Sequence, residues 1–406
     1  MSATGKVIVV GAGPVGSILA YALRRHGIGV TLVEALPAPE IDCRAASCHP
    51  PTIAMFEELG LLEDGLDQGL VSPVFHYLDR PTGKLVARFD LREMRQPPAH
   101  PYVLQWEQYK IAGTVLKRLE SDPDAEILMD TRLVGLDQDG GQVTAILERA
   151  GRSFTIEADF LVGCDGARST VRKLTDIAFE GFTWPERFLK IDTLFDFTGL
   201  REDLSNRNYF SDPDEWLNLF KARGPDGEGM WRAVGPTLPE QSEEELLAPD
   251  YIQQRLMKFL PRDEPYDIAT VALYRVHQRV AASFDCGRVL LAGDAGHVNN
   301  PAGGLGMNGG IHDAMNAADK LAQILLEGAD APALLARYTR QRRKAQTDFV
   351  QAQSIQNKKT LEEKDPAARA QMLEGVRQAG RDPDLHDAFI RRACLIDAIE
   401  VANAVL

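Results

Sequence analysis

Three glycines near the start of the chain are spaced for binding a phosphate. Gly11, Gly13 and Gly16 form a GxGxxG pattern between a β-branched apolar run and a segment with helical periodicity. In such a unit one glycine allows a tight turn, one lets the backbone approach a pyrophosphate, and one lets the helix lie close to the strand. Glu34 ends the next apolar run, where a carboxylate can accept hydrogen bonds from a ribose. The stretch predicts a strand–turn–helix–strand unit that binds a mononucleotide or dinucleotide; a glycine-rich turn used only for packing is the alternative.

A second candidate site lies where a mid-chain apolar run ends in an Asp-Gly pair. Asp165 and Gly166 are followed by Ser169 and Arg172, which open a predicted helix. These groups suit contacts with a ribose and a pyrophosphate at a helix N-terminus. An ordinary turn, with Ser169 as the helix N-cap, explains the same residues equally well.

A third candidate site is the glycine-rich loop at 303–310, which contains five glycines. It follows an apolar run that ends in Gly293 and Asp294, and a helix is predicted to begin near Met307. The loop N–H groups and the positive end of the helix would face a flat, electron-rich ligand. Asp294 can accept hydrogen bonds from a polyol, and His297 is interpreted as an orienting or capping residue. The density of glycines favours a cofactor role for this loop.

Two more side chains could contact a bound cofactor. Arg44 lies in the irregular segment after the second strand, within reach of a ribose or phosphate. Gln105 opens a helix predicted over 105–119, and its amide could bond to the cofactor. A solvated surface side chain is the alternative for each.

The remaining pattern predicts the elements that position these residues. Clustered aromatic residues and alternating runs over 177–280 indicate a largely antiparallel sheet, whereas 334–406 reads as helical, with a solvated charged face at 358–381. The last apolar run, 394–406, is predicted to dock on the body or on a second subunit. We predict an α/β fold, α+β in part: a Rossmann-like cofactor domain (1–70, 103–176 and 281–330), an interleaved antiparallel-sheet substrate domain (71–102 and 177–280) and a C-terminal helical region (331–406).

Composition excludes several functions. The net charge of −14 over 406 residues argues against a nucleic-acid partner. No apolar run is long enough to cross a bilayer, and the first strand leaves no room for a signal peptide, so we expect a cytoplasmic protein with no membrane role. The five cysteines include no CxxC pair, and neither a disulfide framework nor a metal site is predicted.

In this order, the motifs GAGPVG, CDGARSTVR and GDAGHVNNPAGGLGMNGGIHDA resemble those of the single-component (class A) FAD-dependent aromatic hydroxylases, the p-hydroxybenzoate hydroxylase family. The resemblance spans nearly the whole chain. It implies FAD as cofactor, NADH or NADPH as electron donor, and O₂ and an aromatic small molecule as substrates. It further implies hydroxylation of a phenolic or heteroaromatic ring through a flavin C4a-hydroperoxide, and a possible homodimer. An epoxidase or reductase on the same fold, or a non-catalytic FAD-binding regulatory protein, stays open.

The resemblance also assigns roles to matching positions. Glu34 would hold the ribose, Asp294 the ribityl chain, and Pro301 with the following loop would line the isoalloxazine ring. The middle motif would serve FAD and the docking of NAD(P)H. The full predicted cofactor-binding set is Gly11, Gly13, Pro14, Val15, Gly16, Glu34, Ala35, Arg44, Gln105, Asp165, Gly166, Ser169, Arg172, Gly293, Asp294, Pro301, Gly304, Leu305, Gly306, Met307 and Asn308.

The catalytic residues are less constrained by the resemblance. The family often has two prolines where this chain has Asn300 and Pro301, so Asn300 is predicted to place an amide beside the flavin or the substrate. A base that deprotonates a phenolic substrate would help the reaction. The candidates for this base are His277, Tyr209, Tyr274 and His76, each with a plain alternative as a packed or surface residue.

Overall fold

The computed structural model describes residues 5–41 and 45–406 of the chain. The strands are β1 (Lys6–Val10), β2 (Gly29–Val33), β3 (Ser47–Cys48), β4 (Leu70–Ser72), β5 (Val74–Asp79), β6 (Lys84–Asp90), β7 (Val103–Gln105), β8 (Ala125–Leu128), β9 (Arg132–Gln138), β10 (Val143–Arg149), β11 (Arg152–Ala158), β12 (Phe160–Gly163), β13 (Phe179–Thr193), β14 (Arg207–Ser211), β15 (Leu217–Ala222), β16 (Met230–Pro236), β17 (Ile268–Ala281), β18 (Asp285–Cys286), β19 (Val289–Leu291) and β20 (His297–Val298). The α-helices are α1 (Pro14–Arg25), α2 (Pro50–Glu58), α3 (Leu62–Gln68), α4 (Gln108–Glu120), α5 (Thr170–Leu174), α6 (Glu243–Leu247), α7 (Pro249–Phe259), α8 (Gly306–Glu327), α9 (Ala331–Lys344), α10 (Ala352–Glu362), α11 (Pro366–Ala379), α12 (Pro383–Ala393) and α13 (Ile396–Asn403).

A six-stranded sheet brings the three motifs together. Its strand order is β18-β19-β12-β1-β2-β8, and all neighbours are parallel except β18 and β19. The apolar sequences of β1 and β2 suit strands that are buried on both faces. The three motifs directly follow β1, β12 and β19, which are neighbours in the sheet. Because parallel strands end at one edge, the three motifs share that edge. The predicted strand–turn–helix–strand unit is confirmed.

An eight-stranded sheet forms the second layer, with the order β20-β17-β13-β16-β15-β14-β5-β6. It is antiparallel except where β14 pairs with β5, so the predicted antiparallel sheet is confirmed in the main. Side chains alternate between its faces. Phe210 packs on the α7 side, whereas its neighbour Tyr209 packs with Phe75 and Ala302 on the other side. The second face therefore meets the glycine-rich loop.

The C-terminal helices cover that second face. Leu361, Val376, Ile390 and Cys394 belong to the same buried cluster as Tyr209. Residues 345–351 form a π-helical segment that joins α9 to α10 without a break. No helix in the described part of the chain is long and apolar enough to cross a bilayer.

The end of the chain docks on its own body. The backbone oxygen of Val405 accepts hydrogen bonds from Gln341 Nε2 (2.8 Å) and Arg337 Nε (3.2 Å).

The predicted solvated face over 358–381 is wrong at its first residue. The ammonium of Lys358 is buried and pairs with Glu186 and Glu362, each at 2.6 Å, because α10 packs against the large sheet.

Candidate active site

In the first glycine motif, neighbouring backbone atoms lie too close to leave room for a side chain at two positions. Gly11 has φ +104°, and a Cβ there would lie 2.5 Å from the Cys164 carbonyl oxygen. A Cβ on Gly16 would lie 1.9 Å from the Gly11 carbonyl oxygen. The turn thus joins β1 to the middle motif at a distance that only glycine allows.

Gly13 differs from these two glycines because it faces open space. A Cβ on Gly13 would meet no atom within 4 Å. Gly13 is also the N-cap of α1, and no side chain caps that helix. The first N–H groups of α1, from Val15 onward, are available to a ligand, since Pro14 has none. An open backbone at an uncapped helix N-terminus fits a pyrophosphate.

Glu34 lies beside this turn. Its Oε2 accepts from the backbone N–H of Ala12 (2.7 Å), and its Oε1 accepts from that of Leu36 (2.9 Å). Each carboxylate oxygen can accept a further hydrogen bond. The ribose contact of Glu34 and the contact of Ala35 stay predictions, and Arg44 lies outside the described residues.

The middle motif is held mainly by its own hydrogen bonds. Asp165 accepts from the Ser169 hydroxyl (2.5 Å) and from the backbone N–H of Thr170 (2.6 Å). Ser169 in turn accepts from the backbone N–H of Arg172 (2.9 Å), as an N-cap does. The capping alternative therefore accounts for these contacts, while Gly166 (φ +77°) remains open to a ligand.

Arg172 connects the middle motif to the third one. Its Nη1 donates to the Ala295 carbonyl (2.7 Å) and its Nη2 to the Ala167 carbonyl (2.8 Å). The guanidinium also lies 3.8 Å from the centre of the Phe179 ring. Arg172 thus positions both loops, and its predicted contact with FAD or NAD(P)H stays a prediction.

A buried charge cluster lies under the Gly293–Asp294 turn. Asp313 Oδ2 accepts from the Gly293 N–H (3.0 Å) and lies 2.9 Å from His297 Nε2, while its Oδ1 accepts from Arg342 Nε (2.5 Å). Burial alone would raise the pKa of Asp313, but the neighbouring Arg342 holds it below its usual value. The orienting role of His297 stays a prediction, and Asp294 is an exposed side chain in the turn.

Hydrogen bonds of the Asn308 side chain hold the glycine-rich loop in place. Its Nδ2 donates to the carbonyls of Ser47 and Gly304 (both 2.8 Å). Its Oδ1 accepts from the His49 N–H (2.8 Å) and the Thr52 hydroxyl (2.7 Å). This amide is fully occupied, so any contact of Asn308 with a cofactor would use its backbone N–H. The helix α8, which begins at Gly306, has no side-chain cap.

Gln105 requires a correction. It does not open a helix but ends strand β7, because it pairs with Ser47 of β3 and Leu70 of β4, and α4 begins only at Gln108. Its Oε1 accepts from the Ser47 hydroxyl (2.9 Å), whereas its buried Nε2 has no partner. An unpaired buried amide is costly, so a ligand atom in front of Nε2 would stabilise it. The open glycines, the two uncapped helices and this amide together fit FAD.

The structure separates the catalytic candidates. Asn300 donates to Gln278 Oε1 from its backbone N–H (3.2 Å) and from Nδ2 (3.1 Å), so its amide positions the loop before Pro301. His277 precedes Gln278 on β17 and points to the opposite face, where its Nδ1 lies 2.9 Å from the Thr183 hydroxyl. His277 is therefore not brought to the loop, and the geometry argues against it as the base.

Tyr209 is brought to the loop side, with two residues that the sequence reading missed. Arg207 is 3% exposed and donates from Nη2 to the Tyr209 hydroxyl (3.0 Å), while its Nε and Nη1 have no partner. His49 is fully buried, and its ring lies against the backbone of Gly303 in the glycine-rich loop. The sequence could have indicated Arg207, because residues two apart in a strand lie on the same face and Arg207 is two residues from Tyr209.

A buried histidine should make stability depend on pH. His312 Nε2 lies 2.9 Å from the Thr52 hydroxyl, and burial lowers the pKa of His312 from 6.5 to about 3. The unfolded chain binds this proton more readily, so its contribution is complete above pH 6.5 and is lost as pH falls towards 3. The free energy of unfolding should fall by up to ~1.4 kcal/mol per pH unit from this group.

The His312→Asn variant tests this dependence, because asparagine can still bond to Thr52 without titrating. Urea unfolding between pH 7 and 5 should show a shallower fall for His312→Asn than for the wild type. The exposed His26 supplies the control, and His26→Asn should keep the wild-type slope. An unchanged slope in His312→Asn would contradict the assignment.

Most of the chain is similar to known proteins. Residues 4–353 match the family described as FAD binding domain. Para-nitrophenol 4-monooxygenase of Pseudomonas sp. (strain WBC-3) is 34% identical over 386 residues, which cover 95% of this chain and 94% of that protein. The 6-hydroxy-3-succinoylpyridine 3-monooxygenase HspB of Pseudomonas putida (strain DSM 28022 / S16) is 29% identical over 395 residues, covering 96% and 98%. The crystal structure of p-nitrophenol 4-monooxygenase PnpA from Pseudomonas putida DLL-E4 superposes with a TM-score of 0.90 at 32% identity, covering 98% of this chain and 99% of that one.

Proposed function

The chain belongs to the FAD-binding family of flavin-dependent aromatic hydroxylases, and we propose that it hydroxylates a phenol that carries a substituent para to its hydroxyl group. It is a flavoprotein monooxygenase with FAD as cofactor and NADH or NADPH as electron donor. The similarity to two p-nitrophenol 4-monooxygenases over nearly the whole chain is the observation that carries the choice of a para-substituted phenol.

We assign the cofactor to the shared edge of the six-stranded sheet. The N-terminus of α1 would hold the pyrophosphate, with Glu34 on the ribose and Asp294 on the ribityl chain. Pro301 and the loop to Gly304, followed by the N-terminus of α8, would line the isoalloxazine ring. The bound and reduced flavin supplies the activation of O₂.

The protein's own contribution is to hold the aromatic ring and to exclude water. Phe75 and Phe220 lie edge-on to Tyr209, with ring centres 6.0 and 5.3 Å apart, on the sheet face that meets Ala302. The C-terminal helices cover this face of the sheet, and Cys394 is buried in the same cluster. Aromatic side chains beside the flavin loop would keep water away from the reacting ring and so favour transfer of oxygen to it.

Oxidation of NADH and NADPH by the FAD-loaded protein tests the substrate class. The panel contains 4-nitrophenol, 4-hydroxybenzoate, 4-hydroxybenzaldehyde and 6-hydroxynicotinate, and product masses are recorded. A para-substituted phenol should stimulate the oxidation of NAD(P)H at least ~10-fold, and its product should contain a new oxygen atom. The reason is that the bound substrate is the acceptor of the oxygen that the reduced cofactor activates. Stimulation by the hydroxypyridine alone would shift the substrate class towards that of HspB.

The same assay separates the rival functions. A non-catalytic FAD-binding protein would retain FAD, and no compound would stimulate its oxidation of NAD(P)H. An epoxidase or reductase would convert no compound in the panel. A homodimer and a cytoplasmic location are further parts of the proposal. Light scattering of the FAD-loaded protein at micromolar concentration measures the assembly directly.

A further inference from the structure

The segment from Asn300 to Gly304 has little rigidity of its own. Gly303 and Gly304 are consecutive glycines with φ +108° and +68°, a region of backbone conformation that other residues rarely adopt. Pro301 is the single proline at a place where the family often has two. Because glycine loses more conformational freedom than any other residue when it is fixed, the shape of this segment depends on contacts from outside it.

Two amide side chains hold the backbone of Ala302 in this segment. Its N–H donates to Asn300 Oδ1 (3.0 Å), and its carbonyl oxygen accepts from Asn357 Nδ2 (3.1 Å). Asn357 lies on α10 and is oriented by Gln353, whose Nε2 donates to Asn357 Oδ1 (2.6 Å). The Ala302 side chain is fully buried in the same cluster as Tyr209. Ala302 therefore links the flavin loop to the aromatic face of the large sheet.

Gln278 holds the amide of Asn300. Its Oε1 accepts from the Asn300 backbone N–H (3.2 Å), from Asn300 Nδ2 (3.1 Å) and from Trp184 Nε1 (3.1 Å). Its Nε2 donates to Ser354 Oγ (2.9 Å) and to the Gln351 carbonyl (3.5 Å). The Gln278 amide is thus occupied on both its oxygen and its nitrogen, and it is 3% exposed. These contacts give it a role in holding its neighbours rather than in binding a ligand.

One face of the helix formed by the π-helical segment and α10 supplies the outer contacts. Gln351, Ser354 and Asn357 follow one another at intervals of three, so their side chains lie on the same side of the helix. Gln351 Nε2 donates to the Val298 carbonyl (3.0 Å), on the other side of Asn300 from Ala302. π-Helical segments are rare and occur frequently at functional sites. This helix face therefore bonds to the chain both before and after Asn300.

We propose that Asn357 and Gln278 are positioning residues for hydroxylation, and that they fix Ala302 so that oxygen is transferred to the aromatic ring rather than released as hydrogen peroxide. This inference rests on the proposed function. The amides replace the stiffness that a second proline would give. Without them the loop samples other conformations, and a displacement of about 1 Å beside the reacting groups can cost about 100-fold in the productive step.

Hydrogen–deuterium exchange of the FAD-loaded protein, without substrate or electron donor, measures the loop directly. The N–H groups of Ala302 and Gly304 are bonded within the loop, to Asn300 and to Pro301. Asn357→Ala removes one hydrogen bond from the closed loop, so both N–H groups should exchange about 3- to 10-fold faster.

Gln356→Ala is the matched control for this exchange. Gln356 is exposed on the same helix, and its Nε2 donates to Thr360 Oγ1 one turn later (3.2 Å). Its substitution should leave the exchange of residues 299–306 at the wild-type rate. FAD content and thermal unfolding report whether each variant is folded.

The yield of product per NAD(P)H consumed measures the consequence for the reaction. Two electrons from NAD(P)H and one O₂ give either one oxygen atom in the product and one in water, or both atoms in hydrogen peroxide. Asn357→Ala should shift this balance towards hydrogen peroxide, whereas Gln356→Ala should keep the wild-type balance.

A pair of substitutions at Gln278 separates positioning from packing. Gln278→Glu keeps an oxygen that accepts from Asn300 and Trp184, whereas Gln278→Leu has a similar volume and no acceptor. The glutamate variant should therefore retain more of the product yield than the leucine variant. Equal yields would contradict the role of the acceptor oxygen.

Two further results would overturn the inference. One is wild-type exchange of Ala302 and Gly304 in the Asn357→Ala protein. The other is faster exchange in that protein with an unchanged product yield, since the loop contact would then serve stability alone. Failure of the proposed function is a separate outcome, because the wild type would then give no hydroxylated product with any phenol of the panel, whereas the exchange comparison needs no substrate.

Discussion

The Gly16→Ala variant should lose FAD. The added Cβ would lie 1.9 Å from the Gly11 carbonyl oxygen and 3.1 Å from Cys164 Cβ. Gly11 cannot move aside, because its N–H is bonded to Val33 (2.7 Å) and its own Cβ position is blocked by Cys164. Helix α1 must shift instead, and the N–H groups that face the pyrophosphate shift with it. We expect FAD affinity to fall at least ~100-fold, which corresponds to overpacking of about 3 kcal/mol.

Flavin absorbance after gel filtration, and titration of the apoprotein with FAD, measure this loss. Gly113→Ala in α4 is the matched control, because a Cβ there meets no atom within 4 Å. That control should retain FAD and gain up to ~1 kcal/mol in stability from the better helix former. A Gly16→Ala protein with wild-type FAD content would show that the α1 turn does not hold the cofactor.

The Asp313→Ala variant should lose a large part of the free energy of unfolding. Asp313→Ala leaves Arg342 and His297 buried without their carboxylate partner. Removing one partner of a buried ion pair costs about 3–5 kcal/mol. The Gly293 N–H also loses its acceptor, so the turn that presents Asp294 should loosen and FAD affinity should fall as well.

Urea unfolding measures the stability change, with Asp319→Ala as the control on the same helix. Asp319 is exposed, with its carboxylate 3.5 Å from His26 Nε2, so that substitution should change stability by less than ~0.5 kcal/mol. If the two variants were equally stable, the buried cluster under the turn would not be the support that its geometry indicates.

The glycine motifs were readable from the sequence because each one encodes a local requirement. Gly11 and Gly16 lie between a strand and a helix, and their spacing predicts a tight turn with the helix close to the strand. The order of the strands that bear the three motifs follows the ordinary topology of a parallel sheet, so their shared edge was also predictable.

The features that the sequence did not predict correctly all depend on contacts between residues that are distant in the chain. Gln105 continues an apolar segment that could extend a helix, and only its pairing with Ser47 and Leu70 makes it a strand end. His277 and Gln278 are adjacent, and the face that each occupies depends on which side of the long strand meets the flavin loop. The lack of a hydrogen-bond partner at Arg207 Nε and Nη1 depends on which distant side chains the fold packs around that guanidinium.

The most direct test of the central claim, flavin-dependent hydroxylation of an aromatic ring, is the origin of the oxygen in the product. The FAD-loaded enzyme is supplied with NAD(P)H, the stimulating phenol and ¹⁸O₂ in ordinary water. We predict that the product carries a single labelled oxygen atom on its ring, in proportion to the NAD(P)H consumed. A product whose new oxygen is unlabelled, or oxidation of NAD(P)H that yields only hydrogen peroxide with every phenol of the panel, would contradict the assignment.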